Sequence, residues 1–342
     1  MYTIYDYLKI YKNISIKEYE WNMMDNLLCA IMAYIPLNSF SKMNYQDLVY
    51  EVLNKPNGEV NLVTPLLLKI IDIIKDSKRY EKLKFCNFIN YKDKYIQFGA
   101  LTIKINNIKI ISFKGTDGTV IGWLENFRLA YMYPTNTQSM AIEYLNNNIS
   151  LFDNNIYVIG HSKGGNLAMV SAMELNRFKY FKIKKVINFD GPGFRKNEYE
   201  SNKYKKLLPK LTNYIPEGSY IGTLLYNDNY HIVKSTKHAV NEHFPTYWSI
   251  YGTMFIDGKL SKLSKGLNKR TTEELSKLDS DKIKQIFEKS FEVFNAKETT
   301  KIKLSLKDIM NLIKTVYNMD KELSSYILTI MKTMIILSKN KN

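Results

Sequence analysis

Cysteine and histidine are both scarce, with two cysteines, Cys29 and Cys86, and four histidines among 342 residues. Two cysteines make no disulfide framework, which points to a reducing, cytoplasmic setting. Neither has metal-ligand spacing, which argues against a Cys/His zinc site. No metal and no organic cofactor is expected. Long apolar runs are also missing. The most apolar helical stretch, YILTIMKTMIIL near the C-terminus, is short and broken by Lys332, so it does not suit a bilayer span. The opening MYTIYDYLKIYKN has no long apolar region and no small-residue cleavage site, so no signal peptide is expected. No internal repeat or low-complexity linker divides the chain.

Acidic residues fall well short of basic ones, 33 against 49, for a net charge of +16. Blocks of consecutive basic residues interleaved with aromatics are absent, which argues against a nucleic-acid groove. Lysine, asparagine and isoleucine abound throughout, so the charge reads first as bulk composition. From Lys259 onward there are 18 basic and 10 acidic residues (18 − 10 = +8), half of the excess. That concentration leaves open a weak contact of the tail with an anionic membrane surface.

What is present suits a sizeable core: 45% of residues are hydrophobic and 13% aromatic. Residues 1–84 read as a helical segment packed on that core. WNMMDNLLCAIMAYI sets Met23, Leu27, Ile31 and Tyr34 at three- and four-residue steps. TPLLLKIIDIIKDSKRY repeats the pattern, with Thr64 as N-cap and Pro65 in the first turn. Residues 85–258 change character. YIQFGALTIKI and IKIISFKG are strand-like runs joined by Asn106-Asn107, followed by helical stretches in GWLENFRLAY and from about Ser139 to Asn147. NNIYVIG, IKKVINF, SYIGTLLY and YHIVKS are further strand candidates. Apolar strands alternating with helices predict a mostly parallel central sheet with helices on both faces, an α/β class. Residues 259–342 form a basic helical extension. EELSKLDSDKIKQIFEKSFEVF is amphipathic, and a second helix carries Leu323, Ile327, Ile330, Met331 and Met334 along one stripe.

Within the central region, VIGHSKGGNLAMVSA places Ser162 between Gly160 and Gly164, at the change from strand to helix. This is the G-x-S-x-G elbow, in which a sharp turn lifts a serine hydroxyl above the sheet edge. The flanking glycines and the small helix residues Gly165, Ala168, Ser171 and Ala172 let strand and helix approach closely. The backbone N–H of Lys163, at the helix start, is the expected donor to an oxyanion. Upstream, IISFKGTDG ends a strand in Lys114-Gly115-Thr116-Asp117. It reads either as a tight turn capped by Asp117 or as the second oxyanion loop, with Thr116 as donor.

FKGTD with a later GW, then GHSKGGNLA, then NFDGPGF, resembles the class-three, fungal-type triacylglycerol lipases. The likeness is closer to a bacterial family of lipase-like α/β-hydrolases of unknown function, and it spans roughly residues 1–255. In that family a lysine after the serine, Phe-Asp-Gly-Pro-Gly and a later His-to-Trp segment recur. The resemblance implies an α/β-hydrolase fold and a cofactor-free serine hydrolase acting on an ester. Lys114 stands where lipases usually carry arginine, and is expected to pair with a carboxylate.

A nucleophilic serine needs a base and an orienting acid, in the order Ser…Asp/Glu…His. His161 precedes the serine, with its side chain expected to turn away from the reacting face. His231 lies in a strand-like run and is expected to be packed. His238 and His243 share the loop TKHAVNEHFPTYW. The resemblance favours His243, which precedes Trp248 by a few residues, although Glu242 replaces the family's usual glutamine. Asp190 ends the strand after the elbow helix, and parallel strands bring such a carboxylate to the serine's edge of the sheet. Class-three lipases instead place the acid one strand later, where Glu217 and Asp228 are the alternatives. The expected activity is ester cleavage through an acyl-enzyme. A thioesterase, an acyltransferase or a catalytically silent scaffold are the other readings.

Overall fold

The computed structural model describes residues 1–266, apart from positions 62, 94, 118–124 and 127, together with 281 and 284. Eight strands form one sheet in strict chain order: β1 (Phe40–Asn44), β2 (Lys84–Lys92), β3 (Gln97–Ile105), β4 (Ile108–Phe113), β5 (Ile156–His161), β6 (Ile183–Phe189), β7 (Leu211–Pro216) and β8 (Tyr230–Val233). Neighbours from β1 to β4 run antiparallel, and those from β4 to β8 run parallel. The β3–β4 hairpin closes on Asn106-Asn107, with Asn106 in the left-handed region at φ 51°.

Sequential order has a consequence for the faces. Parallel strands joined by right-handed crossovers place every connection on the same side. The crossover helices α5 (Asn136–Asn147) and α6 (Lys163–Met173) share one buried cluster with Ala100, Ile111, Val158 and Val186. The opposite face would stay bare without the N-terminal helices α1 (Ile4–Tyr11), α2 (Met23–Met32), α3 (Tyr45–Asn54) and α4 (Thr64–Ile74). They bury the alternate strand residues Leu101, Ile110, Ile159 and Ile187. Both faces are thus covered, as expected, and the architecture is an α/β-hydrolase fold.

α2 starts on a capping box, in which the Asn22 side chain accepts from Met24 N and Asp25 accepts from Asn22 N. It is buried almost all round rather than on a stripe. Asp25 also meets Arg79 in a bidentate pair at 2.9 and 2.6 Å, both side chains fully buried, with Tyr80 and Tyr7 donating to the same carboxylate at 2.8 and 3.1 Å. This pair fastens the N-terminal helices to the chain entering β2.

Several sequence expectations change. Residues 1–84 are not wholly helical, because Phe40–Asn44 is the edge strand β1. Thr64 is the first residue of α4 and not its cap; the Asn61 side chain accepts from the N–H groups of Val63 and Thr64 instead. SYIGTLLY is no strand. Its Leu225 sits at φ 62°, and turns at Ser219 and Leu224 break extension. The strand at that place is β7, whose LTNYIP buries Asn213 between Leu211 and Ile215, so its inward pattern is not purely apolar. The stretch GWLENFRLAY lies partly outside the described residues, and so do both C-terminal amphipathic stretches, the first apart from Asp281 and Lys284 and the second entirely. Among the described residues no helix is long and apolar enough to cross a membrane.

Candidate active site

The register Phe113↔Gly160↔Asn188↔Asn213 ends β4, β5 and β6 level with one another, so the segments after them leave by the same sheet edge. Ser162 is the first residue beyond β5, at φ 58° and ψ −133°. A non-glycine residue there is strained, and the surroundings must hold it. Ser162 N donates to Phe189 O at 2.9 Å, and Gly165 N donates to Ser162 O at 2.8 Å. A Cβ on Gly164 would lie 2.0 Å from the Phe113 carbonyl oxygen, so this glycine sets how closely α6 meets β4. Lys163 opens α6, and its N–H belongs to the first turn, which has no intrahelical acceptor.

Asp190 leaves β6 in a second left-handed position, φ 53°, and is fully buried. Its Oδ2 lies 2.7 Å from His243 Nδ1. Its Oδ1 accepts from Ser219 Oγ at 2.5 Å and from Gly222 N at 3.1 Å. The turn mistaken for a strand is therefore the segment that wraps this carboxylate. Among the described residues no hydrogen bond joins Ser162 Oγ to His243, so the acid–base half is closed and the nucleophile–base half is open.

The alternative residues are occupied elsewhere. Glu217 accepts from Lys259 N at 3.0 Å, and Asp228 accepts from the Tyr199 hydroxyl. Neither meets His243. His238 is exposed ahead of the short 3-10 turn Ala239–His243. His231 is exposed on β8 against the Tyr214 ring, not packed as expected. Glu242 accepts from Gly218 N at 2.7 Å through its side chain and from Trp248 Nε1 at 2.7 Å through its carbonyl. A glutamine oxygen could accept the same bond, and the carboxylate accepts it more strongly, so this departure leaves the loop's anchoring intact.

His161 is buried beside the site rather than turned out of it. Its Nε2 lies 2.8 Å from the His243 carbonyl oxygen, and its Nδ1 lies 3.0 Å from the Tyr34 hydroxyl. Burial first, and then the nearby His243, hold its pKa well below the ordinary histidine value. The oxyanion loop approaches from the other side. A Cβ on Gly115 would come within 3.0 Å of Ser162 Cβ, which puts Gly115-Thr116 against the serine. Gly115 N donates to the Tyr34 hydroxyl at 2.9 Å, and Thr116 Oγ1 accepts from Asn126 Nδ2 at 2.8 Å.

Among the described residues Lys114 does not pair directly with a carboxylate. Its Nζ donates to Asn90 Oδ1 at 2.9 Å, while Lys92 makes the ion pair with Asp117 at 3.4 Å. Burial lowers the Lys114 pKa, opposed by the charge of Asp117. The Lys163 side chain runs inward, donating to Gln97 O at 2.7 Å and Gln97 Oε1 at 2.9 Å. Burial brings its pKa down to about 8, against the pull of Glu125 and Asp117. Tyr34, Gln97, Ser219 and Gly222 were not read from the sequence. Each acts through contacts 18 or more residues away, for which a single sequence carries no local signal. Among the described residues no group of three or more His, Cys, Asp or Glu gathers to hold a metal ion.

No curated protein matches the chain. Among solved structures, the crystal structure of M37 lipase is similar at 16% identity and a TM-score of 0.37, covering 58% of this chain and 68% of that one. The model of the Mbeg1-like family, a lipase-like family, matches residues 74–292, which take in β2 through β8 with Ser162, Asp190 and His243, and the chain belongs to that family.

Proposed function

We propose that this lipase-like α/β-hydrolase is a serine carboxylic-ester hydrolase. Ser162 Oγ attacks the ester carbonyl while His243 Nε2 takes its proton. The backbone N–H groups of Lys163 and Thr116 receive the oxyanion. His243 then gives the proton to the leaving alcohol, and water, activated by the same imidazole, releases the acyl group. Asp190 accepts from Nδ1–H throughout and stabilises the imidazolium. The reading rests above all on the 2.7 Å contact between Asp190 Oδ2 and His243 Nδ1 beside an elbow serine at φ 58°. The likeness of FKGTD, GHSKGG and NFDGPGF to class-three lipases supports it.

Fluorophosphonate labelling tests this. Wild type should be labelled and Ser162→Ala should not. A folded wild type that stays unlabelled refutes the reading. The open Ser162–His243 contact is the observation that favours a catalytically silent relative, and the same probe decides between them; catalytic hydrogen bonds often tighten only with substrate bound. We further propose a reducing cytoplasmic setting, in keeping with free Cys29 and Cys86. Our proposed division is a core over 85–258, the N-terminal segment 1–84, and an extension from 259 that meets anionic membrane surfaces weakly.

A further inference from the structure

We propose that Tyr34 and His161 form a buried positioning pair that ties the oxyanion loop to the loop carrying His243. The proposal rests on the serine-hydrolase reading. It assigns a role at the site to a residue of the N-terminal segment, upstream of the family match.

The hydrogen positions follow from the partners. A carbonyl oxygen only accepts, so the His161 Nε2 facing His243 O at 2.8 Å carries the proton. A neutral imidazole then has a bare Nδ1, which accepts from the Tyr34 hydroxyl at 3.0 Å. The same hydroxyl lies 3.3 Å from His161 O, and its oxygen accepts from Gly115 N at 2.9 Å. One directional chain results: Gly115 N–H to Tyr34, Tyr34 O–H to His161, His161 Nε2–H to the main chain of His243. Each donor and acceptor in it is used in one sense.

Both ends of the chain matter to the chemistry. At one end, His243 is fixed twice, through its carbonyl by His161 and through Nδ1 by Asp190. At the other, Gly115 is gripped on both sides, its N–H by Tyr34 and its carbonyl by Gln97 Nε2 at 3.4 Å. Gln97 is itself held by Lys163 Nζ. In a trans peptide the Gly115 carbonyl and the Thr116 N–H point opposite ways. Holding that carbonyl on Gln97 therefore aims the Thr116 N–H away from Gln97. The Tyr34–His161 pair thus sets the distance between the oxyanion donor and the base, across the serine.

Tyr34→Phe keeps the ring and deletes the hydroxyl. We expect kcat on a p-nitrophenyl ester to fall about 10- to 100-fold, with KM changed less than about two-fold, as for a small misplacement of reacting groups. Fluorophosphonate labelling should slow in parallel. His161→Gln removes the same bond from the other side. If the two residues act as a unit, the double variant should be no slower than the slower single variant. Multiplying effects, or two folded single variants labelled at the wild-type rate, overturn the pair while leaving the enzyme reading standing. An unlabelled wild type overturns the enzyme reading instead. Histidine 15N–1H spectra of wild type test the geometry without activity or a variant. His161 should be neutral with its proton on Nε2 from about pH 6 to 8. A proton on Nδ1 refutes the chain.

Discussion

Replacing Asp190 with asparagine separates the acid's charge from its geometry. In the native site Oδ1 accepts two hydrogen bonds, from Ser219 Oγ and Gly222 N, and Oδ2 faces His243 Nδ1. An asparagine has one oxygen and one NH₂. Turned with its oxygen to Ser219 and Gly222, it satisfies both of those donors and presents N–H to His243. The imidazole must then accept at Nδ1 and carry its proton on Nε2, where a general base needs a lone pair. The opposite rotamer sets the NH₂ against a backbone N–H inside a fully buried site. The first arrangement therefore wins and fixes the wrong tautomer, a change that costs on the order of 10⁴ in kcat, or about 5.4 kcal/mol of barrier. Steady-state hydrolysis of a p-nitrophenyl ester measures kcat, and thermal unfolding checks that the fold is kept. Retention of more than about a tenth of wild-type kcat, at the rate scale of triad catalysis, would refute Asp190 as the orienting acid. So would a larger loss in Glu217→Gln or Asp228→Asn, both of which are expected to stay within about two-fold because neither touches His243.

Three further outcomes follow from the packing and charge described above. Gly164→Ala forces a Cβ to 2.0 Å from the Phe113 carbonyl, where backbone faces backbone, and should destabilise the fold by about 3 kcal/mol. Gly266→Ala, with nothing among the described residues within 4 Å of the new Cβ, should not destabilise the fold and should shift it by no more than about 1 kcal/mol; equal urea midpoints for the two would contradict the close-approach argument. Asp25→Ala leaves Arg79 charged, buried and stripped of its carboxylate, at a cost of about 3–5 kcal/mol read from denaturant unfolding. A loss under about 1 kcal/mol would mean the pair is not the clamp it resembles. The buried His161 stays neutral in the folded chain, so below about pH 6.5 the unfolded chain binds the extra proton. Its contribution is whole above that pH and is lost as pH falls, by up to about 1.4 kcal/mol per unit. His161→Gln should show a flatter fall in urea midpoint between pH 7 and 5.5, and an unchanged slope would place the acid sensitivity elsewhere.

Much of the site was legible where the signal is local. The elbow needs glycines two residues either side of a serine and a strand before it, and all of these lie within one short stretch around Ser162. The Asn106-Asn107 hairpin is similarly local. Asp190 is placed by a local rule, since a residue that ends a parallel strand comes to the same sheet edge as the elbow serine; the choice of His243 over His238 is not local and comes from the resemblance alone. The misreadings share a cause. β7 was missed because Asn213 breaks its apolar pattern, paired inside the fold with Asn227 at 2.9 Å and with the Asp228 carbonyl. Residues 219–226 looked extended because their apolar side chains are those of a strand, yet they turn to offer a hydroxyl and an N–H to Asp190. Lys114 was assigned a carboxylate partner by analogy, but the buried partner is an amide from β2. Nothing near Tyr34 in sequence says that its hydroxyl will meet residue 115 and residue 161.

The division of labour between the two sheet faces also bears on how the chain acquires its structure during synthesis. α2 packs against β4 and β5, which end at Phe113 and His161. Nearly the whole surface of α2 is apolar and buried in the folded protein. The first helices therefore leave the ribosome long before the strands that cover them, and at ~5–20 residues per second they wait several seconds. Through that interval they expose the surface most prone to association. A nascent chain arrested after about residue 110 should be a chaperone client, and one arrested well past residue 190 should be released.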